Sequence, residues 1–69
     1  MMKEMKKKHL RIANEFIDQA RKGYGLERKE AAINAMMNAQ RVATLANLMG
    51  EPASEAGKIM GEARKIILA

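Results

Sequence analysis

The middle of the chain, residues 31–49, is apolar on nearly every side of a helix. Its nineteen residues include a single charged side chain, Arg41, whereas the flanking segments are dense in lysine, arginine and glutamate. A helix that is apolar around most of its circumference is normally buried by its neighbours. The pattern therefore predicts that this helix is central to the fold. Its predicted packing face consists of Ala32, Ala35, Met36, Ala39, Ala43 and Ala46.

Apolar residues that recur at steps of three and four predict a further helix on each side. The predicted helices cover about 2–22, 27–49 and 52–68. Gly23 and Gly25 mark the first break and Gly50 the second, because glycine readily ends a helix, and Pro52 suits the first position of the next one. Short connections make antiparallel neighbours. The sequence therefore predicts a single all-α domain over 1–69, a small three-helix bundle with the second helix central.

Each outer helix carries one apolar stripe and, in the first helix, a pattern of charges. Opposite charges four residues apart predict two ion pairs, Glu4 with Lys8 and Arg11 with Glu15. The first stripe consists of Met5, His9, Ile12, Ala13, Phe16, Ile17 and Ala20, and the stripe of the third helix of Ala56, Ile59, Met60, Ala63, Ile66 and Ile67.

The composition argues against an enzyme or a metalloprotein. The chain has no cysteine and one histidine, His9, which favours a half-buried packing role over a catalytic or metal-binding one. It has no glycine-rich phosphate loop, no HExxH motif and no carboxylates at metal spacing. We therefore expect no enzyme activity, no cofactor, no metal and no small-molecule substrate. The sequence contains no run of 18 apolar residues, so it predicts no membrane span. The absence of cysteine fits a cytoplasmic protein.

The central helix carries more apolar side chains than two short neighbours readily cover. Met37, Leu45 and Leu48 lie beside the main packing face, and surplus apolar surface of this kind marks a site for a partner. A chain of 69 residues buries only ~60% of its unfolded surface, so association would also stabilise it. We therefore predict a protein partner or a homodimer; the alternative is that the outer helices cover these side chains. The predicted interface consists of Met37, Leu45 and Leu48 with a polar stripe of Asn34, Asn38 and Arg41. The alternative for the polar stripe is that it is simply the solvent-facing side of the second helix.

Positive charge is concentrated at the start of the chain. The net charge is +5, of which residues 1–11 contribute +4 and residues 12–69 contribute +1. A basic segment can contact nucleic acid, an acidic protein or an anionic membrane surface; the alternative is a solvated helix start. Two aromatic residues are too few for a platform that stacks single-stranded bases. The candidate anion or nucleic-acid contacts are Lys3, Lys6, Lys7, Lys8 and Arg11.

The second break also resembles a degenerate helix-turn-helix at 42–60. Ala46, a small residue, precedes the turn glycine Gly50 by four positions, and Ile59 follows it by nine. This spacing would make the start of the third helix the recognition helix. Glu51 and Glu55 place negative charge where DNA would approach, so an ordinary helix–helix turn is the favoured interpretation. The predicted function is a small non-enzymatic helical regulator or adaptor that binds a protein and self-associates. The alternative is a nucleic-acid-binding protein.

Overall fold

The chain folds into three helices and no strands. A computed structural model describes residues 1–69, with α1 at Met2–Lys22, α2 at Gly25–Leu48 and α3 at Ser54–Leu68. The Lys6 ammonium of α1 lies 2.6 Å from the Glu51 carboxylate beyond the end of α2, so these two helices are antiparallel. α2 packs against both neighbours, and α1 and α3 contact each other less extensively. The predicted all-α three-helix bundle with a central second helix is confirmed.

The core consists largely of alanine, so the helices approach closely. Nine of the thirteen buried residues are alanines, and Ile17 is the largest side chain that is fully buried. Small side chains leave little space between helices, so packing there is sensitive to added volume. The core residues come from all three helices, namely Ala13, Ile17, Ala20, Ala31, Ala32, Ala35, Ala39, Val42, Ala46, Ala56, Ile59, Ala63 and Ile66.

The second break is a Schellman motif, which explains why the direction of the chain reverses there. The backbone N–H of Glu51 donates to the carbonyl of Ala46 at 2.8 Å, and that of Gly50 donates to Asn47 at 3.1 Å. Gly50 has φ of 68°, a left-handed conformation that glycine adopts without a steric penalty. The last carbonyls of α2 are thereby satisfied, and the chain leaves the helix toward α3.

Three of the predicted helix boundaries need correction. α2 begins at Gly25 rather than at 27, because Gly25 has φ of 57° and directs the chain into the helix directly after the extended Tyr24. α3 begins at Ser54 rather than at Pro52, because Ala53 is its N-cap and the N–H of Gly57 donates to the Ala53 carbonyl at 2.9 Å. α2 ends at Leu48, one residue earlier than predicted.

Candidate protein-binding face

α2 is buried on one side only, and its opposite side is an exposed apolar ridge. Leu26, Ile33, Met37 and Leu48 are 72%, 45%, 49% and 68% exposed, and we call these four residues the outer ridge of α2. Their spacing of 7, 4 and 11 residues places them on one side of a helix. The expectation that a helix apolar all round is fully buried is therefore wrong for this side. The outer helices do not cover Met37 and Leu48.

A groove between α1 and α2 runs beside this ridge. It has a volume of about 540 Å³, and it is open to solvent. Met5 of α1 is half exposed at its edge, so this first residue of the predicted apolar stripe lies outside the buried core. Three apolar side chains, three polar ones and one cation line the groove, and no carboxylate does. The lining residues are Met5, His9, Met37, Gln40, Arg41, Thr44 and Leu45.

The three polar residues of the predicted interface differ in what they offer to a partner. The side-chain amides of Asn34 and Asn38 donate back to the carbonyls of Glu30 and Asn34, at 3.0 and 2.9 Å. Asn38 is half-buried, and its Oδ1 lies 3.3 Å from Nδ1 of His9. Arg41 is exposed and forms no hydrogen bond or ion pair within the chain. Of these residues, Arg41 is therefore the one most available to a partner.

The structure places five of the six predicted interface residues at or beside the α1–α2 groove. Met37, Arg41 and Leu45 line it, Asn38 meets His9 there, and Leu48 follows on the outer ridge. Asn34 lies one turn before Asn38 on the exposed surface of α2. The contribution of Met5 to this groove was missed, because Met5 was assigned only to the apolar stripe of α1. The antiparallel pairing of α1 with α2 was the signal that could have placed it opposite Leu45.

A second groove lies on the other side of the outer ridge, between α2 and α3. It has a volume of about 640 Å³ and is lined by Met36, Met60 and Ile67 among others. Gly57 and Gly61 also line it, and a Cβ atom at either position would meet nothing within 4 Å. Packing within the chain therefore does not require glycine at these two positions.

The candidate anion-binding residues at the start of α1 do not act as one free cluster. The Lys6 ammonium donates to Glu51 at 2.6 Å, and this contact lowers the pKa of the Glu51 carboxyl. Lys6 is thereby partly neutralised by the α2–α3 connection. The remaining four, Lys3, Lys7, Lys8 and Arg11, are exposed and form no ion pair. Whether they bind an anion stays a prediction.

The predicted ion pairs within α1 do not form, and others replace them. Asp18 pairs with Arg21 and Lys22 at 3.7 and 3.2 Å. Arg21 also forms a bidentate pair with Glu62 of α3, at 2.7 and 2.8 Å. Their hydrogen bond and charge attraction raise the pKa of Arg21 and lower that of Glu62. This pair ties α1 to α3 at an exposed site.

The region of the helix-turn-helix resemblance is a helix pair joined by residues 49–53. Ser54, Glu55 and Lys58 are exposed at the start of α3, where a recognition helix would present them. Glu51 and Glu55 place two carboxylates at the same end of the molecule, which opposes an approach to phosphate. DNA binding by this region stays a prediction.

The remaining surface gives no indication of a metal site or a membrane span. No group of three His, Cys, Asp or Glu side chains lies together as potential metal ligands. None of the three helices combines the length and the apolar character needed to cross a bilayer. Comparison of the chain with protein-family models, with curated proteins and with solved structures finds no match.

Proposed function

We propose that this chain is a small non-enzymatic helical binding module, a cytoplasmic regulator or adaptor that docks on a protein partner and self-associates. The observation that carries the proposal is the α1–α2 groove, which is open to solvent and combines the apolar side chains of Met5, Met37 and Leu45 with Arg41 and no carboxylate. Apolar surface of this kind on a small chain is characteristic of interaction sites, and methionine adapts to different partner shapes. Met5 and Met37 supply that adaptable surface on opposite sides of the groove.

The chemistry of the groove favours an acidic amphipathic helix as its partner. Arg41 lines the groove, and Lys8 lies exposed next to His9 in the sequence. A helix laid in an apolar groove is recognised by apolar residues at i, i+3, i+4 and i+7. Acidic residues on its flanks would complement Arg41 and Lys8, and the net charge of +5 would accelerate their encounter.

A designed peptide tests this proposal without knowledge of the natural partner. The peptide carries leucine at i, i+3, i+4 and i+7, glutamate on its flanks and a fluorescent label, and its binding is followed by fluorescence anisotropy. We expect saturable binding that weakens with salt, and much weaker binding of the same peptide with lysine in place of glutamate. Met5→Glu should abolish binding, whereas Gln19→Glu, which changes the charge equally at an exposed site on α1, should not.

Two results would contradict the docking proposal. One is the absence of saturable binding by the acidic peptide at concentrations up to the millimolar range. The other is equal binding by Met5→Glu and Gln19→Glu, since the peptide would then bind outside the groove. Circular dichroism of both variants establishes that the fold is retained.

A nucleic-acid-binding protein is the second candidate function, and the four unpaired cations at the start of α1 favour it. Lys3, Lys7, Lys8 and Arg11 extend over two turns of one exposed helix. Phosphate contacts release counterions, so such binding falls steeply with salt. Retention on heparin to high salt would support this candidate, and elution at low salt would favour the protein-binding module.

A further inference from the structure

The outer ridge extends along nearly the whole of α2, so a partner that covers it must be apolar over the length of a long helix. Its four side chains extend from Leu26 to Leu48, and α2 is about 36 Å long at 1.5 Å per residue. A short peptide in the α1–α2 groove would cover only part of this length. A second α2 helix has the same length and the same apolar spacing.

We infer that the outer ridge of α2 pairs in antiparallel orientation with the same ridge of a second copy, around a two-fold axis near Met37. This inference specifies the self-association in the proposed function. Met37 lies beside the midpoint of Gly25–Leu48, so the overlap of two antiparallel helices is greatest there. In this register Leu26 faces Leu48 of the second copy. Closed two-fold dimers are the commonest assemblies of identical chains.

Charges beside the ridge favour the antiparallel orientation over the parallel one. Glu30 and Arg41 flank the ridge on the same side of α2, and both are exposed without an ion pair. In the antiparallel register Glu30 lies within three residues, about 4.5 Å along the axis, of Arg41 of the second copy. In a parallel pair the same flank of each helix would lie on opposite sides of the interface, so Glu30 of one copy would not meet Arg41 of the other. Flanking charges set the orientation of paired helices in this way.

The area of the ridge shows that the α2–α3 groove must take part. The ridge alone, about 36 Å by 10 Å, offers ~360 Å², whereas a stable interface buries ~800 Å² per partner. The α2–α3 groove adds Met36 and Met60 next to the ridge, with the open space above Gly61. The second copy of α2 therefore lies over the ridge and this groove. It also covers Met37 and Arg41 at the α2 edge of the α1–α2 groove, so the dimer and a partner in that groove share these two residues.

Cysteine cross-linking tests the register directly, because the chain has no cysteine of its own. Leu26→Cys and ¹⁵N-labelled Leu48→Cys are mixed in a glutathione redox buffer, and the disulfides are identified by mass spectrometry. A disulfide requires Cβ atoms about 3.5–4.5 Å apart. We expect the mixed disulfide to predominate, since two Leu26 positions lie about 33 Å apart in the antiparallel pair. Gln19→Cys, exposed on α1, measures the background of random collision.

Either of two outcomes would overturn the inference. Predominance of the Leu26→Cys disulfide with itself would show a parallel pair, and disulfides no more abundant than those of Gln19→Cys would show that the ridges do not meet. The peptide titration is interpreted separately from either result, because Met5→Glu alters the α1 side of the α1–α2 groove, which is not part of the outer ridge. Conversely, a failed peptide titration with the expected mixed disulfide would remove the docking proposal and keep the dimer.

Two other contacts of the proposed dimer can be tested. Charge reversal tests the pair of Glu30 with Arg41, and an added side chain tests the contact above Gly61. Glu30→Arg and Arg41→Glu should each raise the dimer dissociation constant by roughly two- to tenfold, and the double variant should restore it. Glu15→Arg, on the exposed side of α1, is the control and should change nothing. Gly61→Gln meets open space within the chain and should retain helicity, yet it should weaken the dimer at least about tenfold through overpacking. Failure of the double variant to restore affinity, or an unchanged dissociation constant for Gly61→Gln, would contradict the proposed arrangement.

Discussion

Replacement of Ala39 by leucine is the most direct test of the close alanine packing. Ala39 is 0% exposed near the middle of α2 and belongs to the buried cluster shared by all three helices. Leucine adds three carbon atoms where the neighbouring core is itself mostly alanine, so the helices must move apart or the side chain must leave its preferred rotamers. Overpacking of this kind costs typically ~1–3 kcal/mol.

The cost is large relative to the stability of so small a domain. A core of this size rarely supplies more than about 3–5 kcal/mol, and each kcal/mol lowers the melting temperature of a domain of 60–100 residues by about 4–8 °C. Ala39→Leu should therefore lower the melting temperature by roughly 4–24 °C. The measurement is thermal unfolding followed by circular dichroism at 222 nm. All variants are compared at one protein concentration, because the proposed dimerisation would make stability concentration-dependent.

Gln19→Leu is the matched control for this prediction. It introduces the same side chain at an exposed helical position of α1, so it adds no volume to the core. Its melting temperature should stay close to that of the unmodified chain. If Ala39→Leu melts at the same temperature as Gln19→Leu, then Ala39 is not at a tight helix contact, and the account of the core is wrong.

Two further predictions concern charged groups. Deletion of residues 1–7 should leave helicity largely intact by circular dichroism, because the buried core begins at Ala13. If the basic end binds phosphate, the deletion should also shorten retention on heparin. Loss of helicity throughout the chain would show that this end is structural. Arg21 lowers the pKa of Glu62, so this pair stabilises the fold above the ordinary carboxyl pKa of 4.5 and ceases to do so as the pH falls through the lowered value. In urea unfolding, the free energy of unfolding of the unmodified chain should exceed that of Glu62→Gln at pH 7, by a small margin since the pair is exposed. The difference should be smaller at pH 3. An equal difference at both pH values would refute this assignment.

The helices were predictable because their apolar stripes are regular. The buried residues of α1 and α3 all belong to the predicted stripes, and the breaks fall near the predicted glycines. The boundaries were less predictable, since the first residues of a helix are set by capping geometry. Pro52 could begin a helix by its own preference, yet Ala53 is the residue that caps α3.

The contacts between helices could not be read from residue spacing along one helix. Glu4 and Lys8 have the spacing of an ion pair within α1 but do not form one. Arg21 of α1 instead pairs with Glu62 of α3, 41 positions away in the sequence. Such pairs depend on how the helices are rotated against each other. The same rotation decides that Leu45 is half-buried in the groove while Leu48 is 68% exposed. Sequence reasoning could name both as surplus apolar residues but could not separate them.

The mass of the chain in solution tests the central claim, that α2 presents an unoccupied apolar face to a second copy. Light scattering after size-exclusion chromatography, at tens of micromolar, should give about 15 kDa, twice the chain mass of 7.7 kDa. Ile33→Lys with Leu48→Lys, both at exposed positions of the outer ridge, should reduce the mass to that of one chain without loss of helicity. A mass of 7.7 kDa for the unmodified chain at this concentration would contradict the claim.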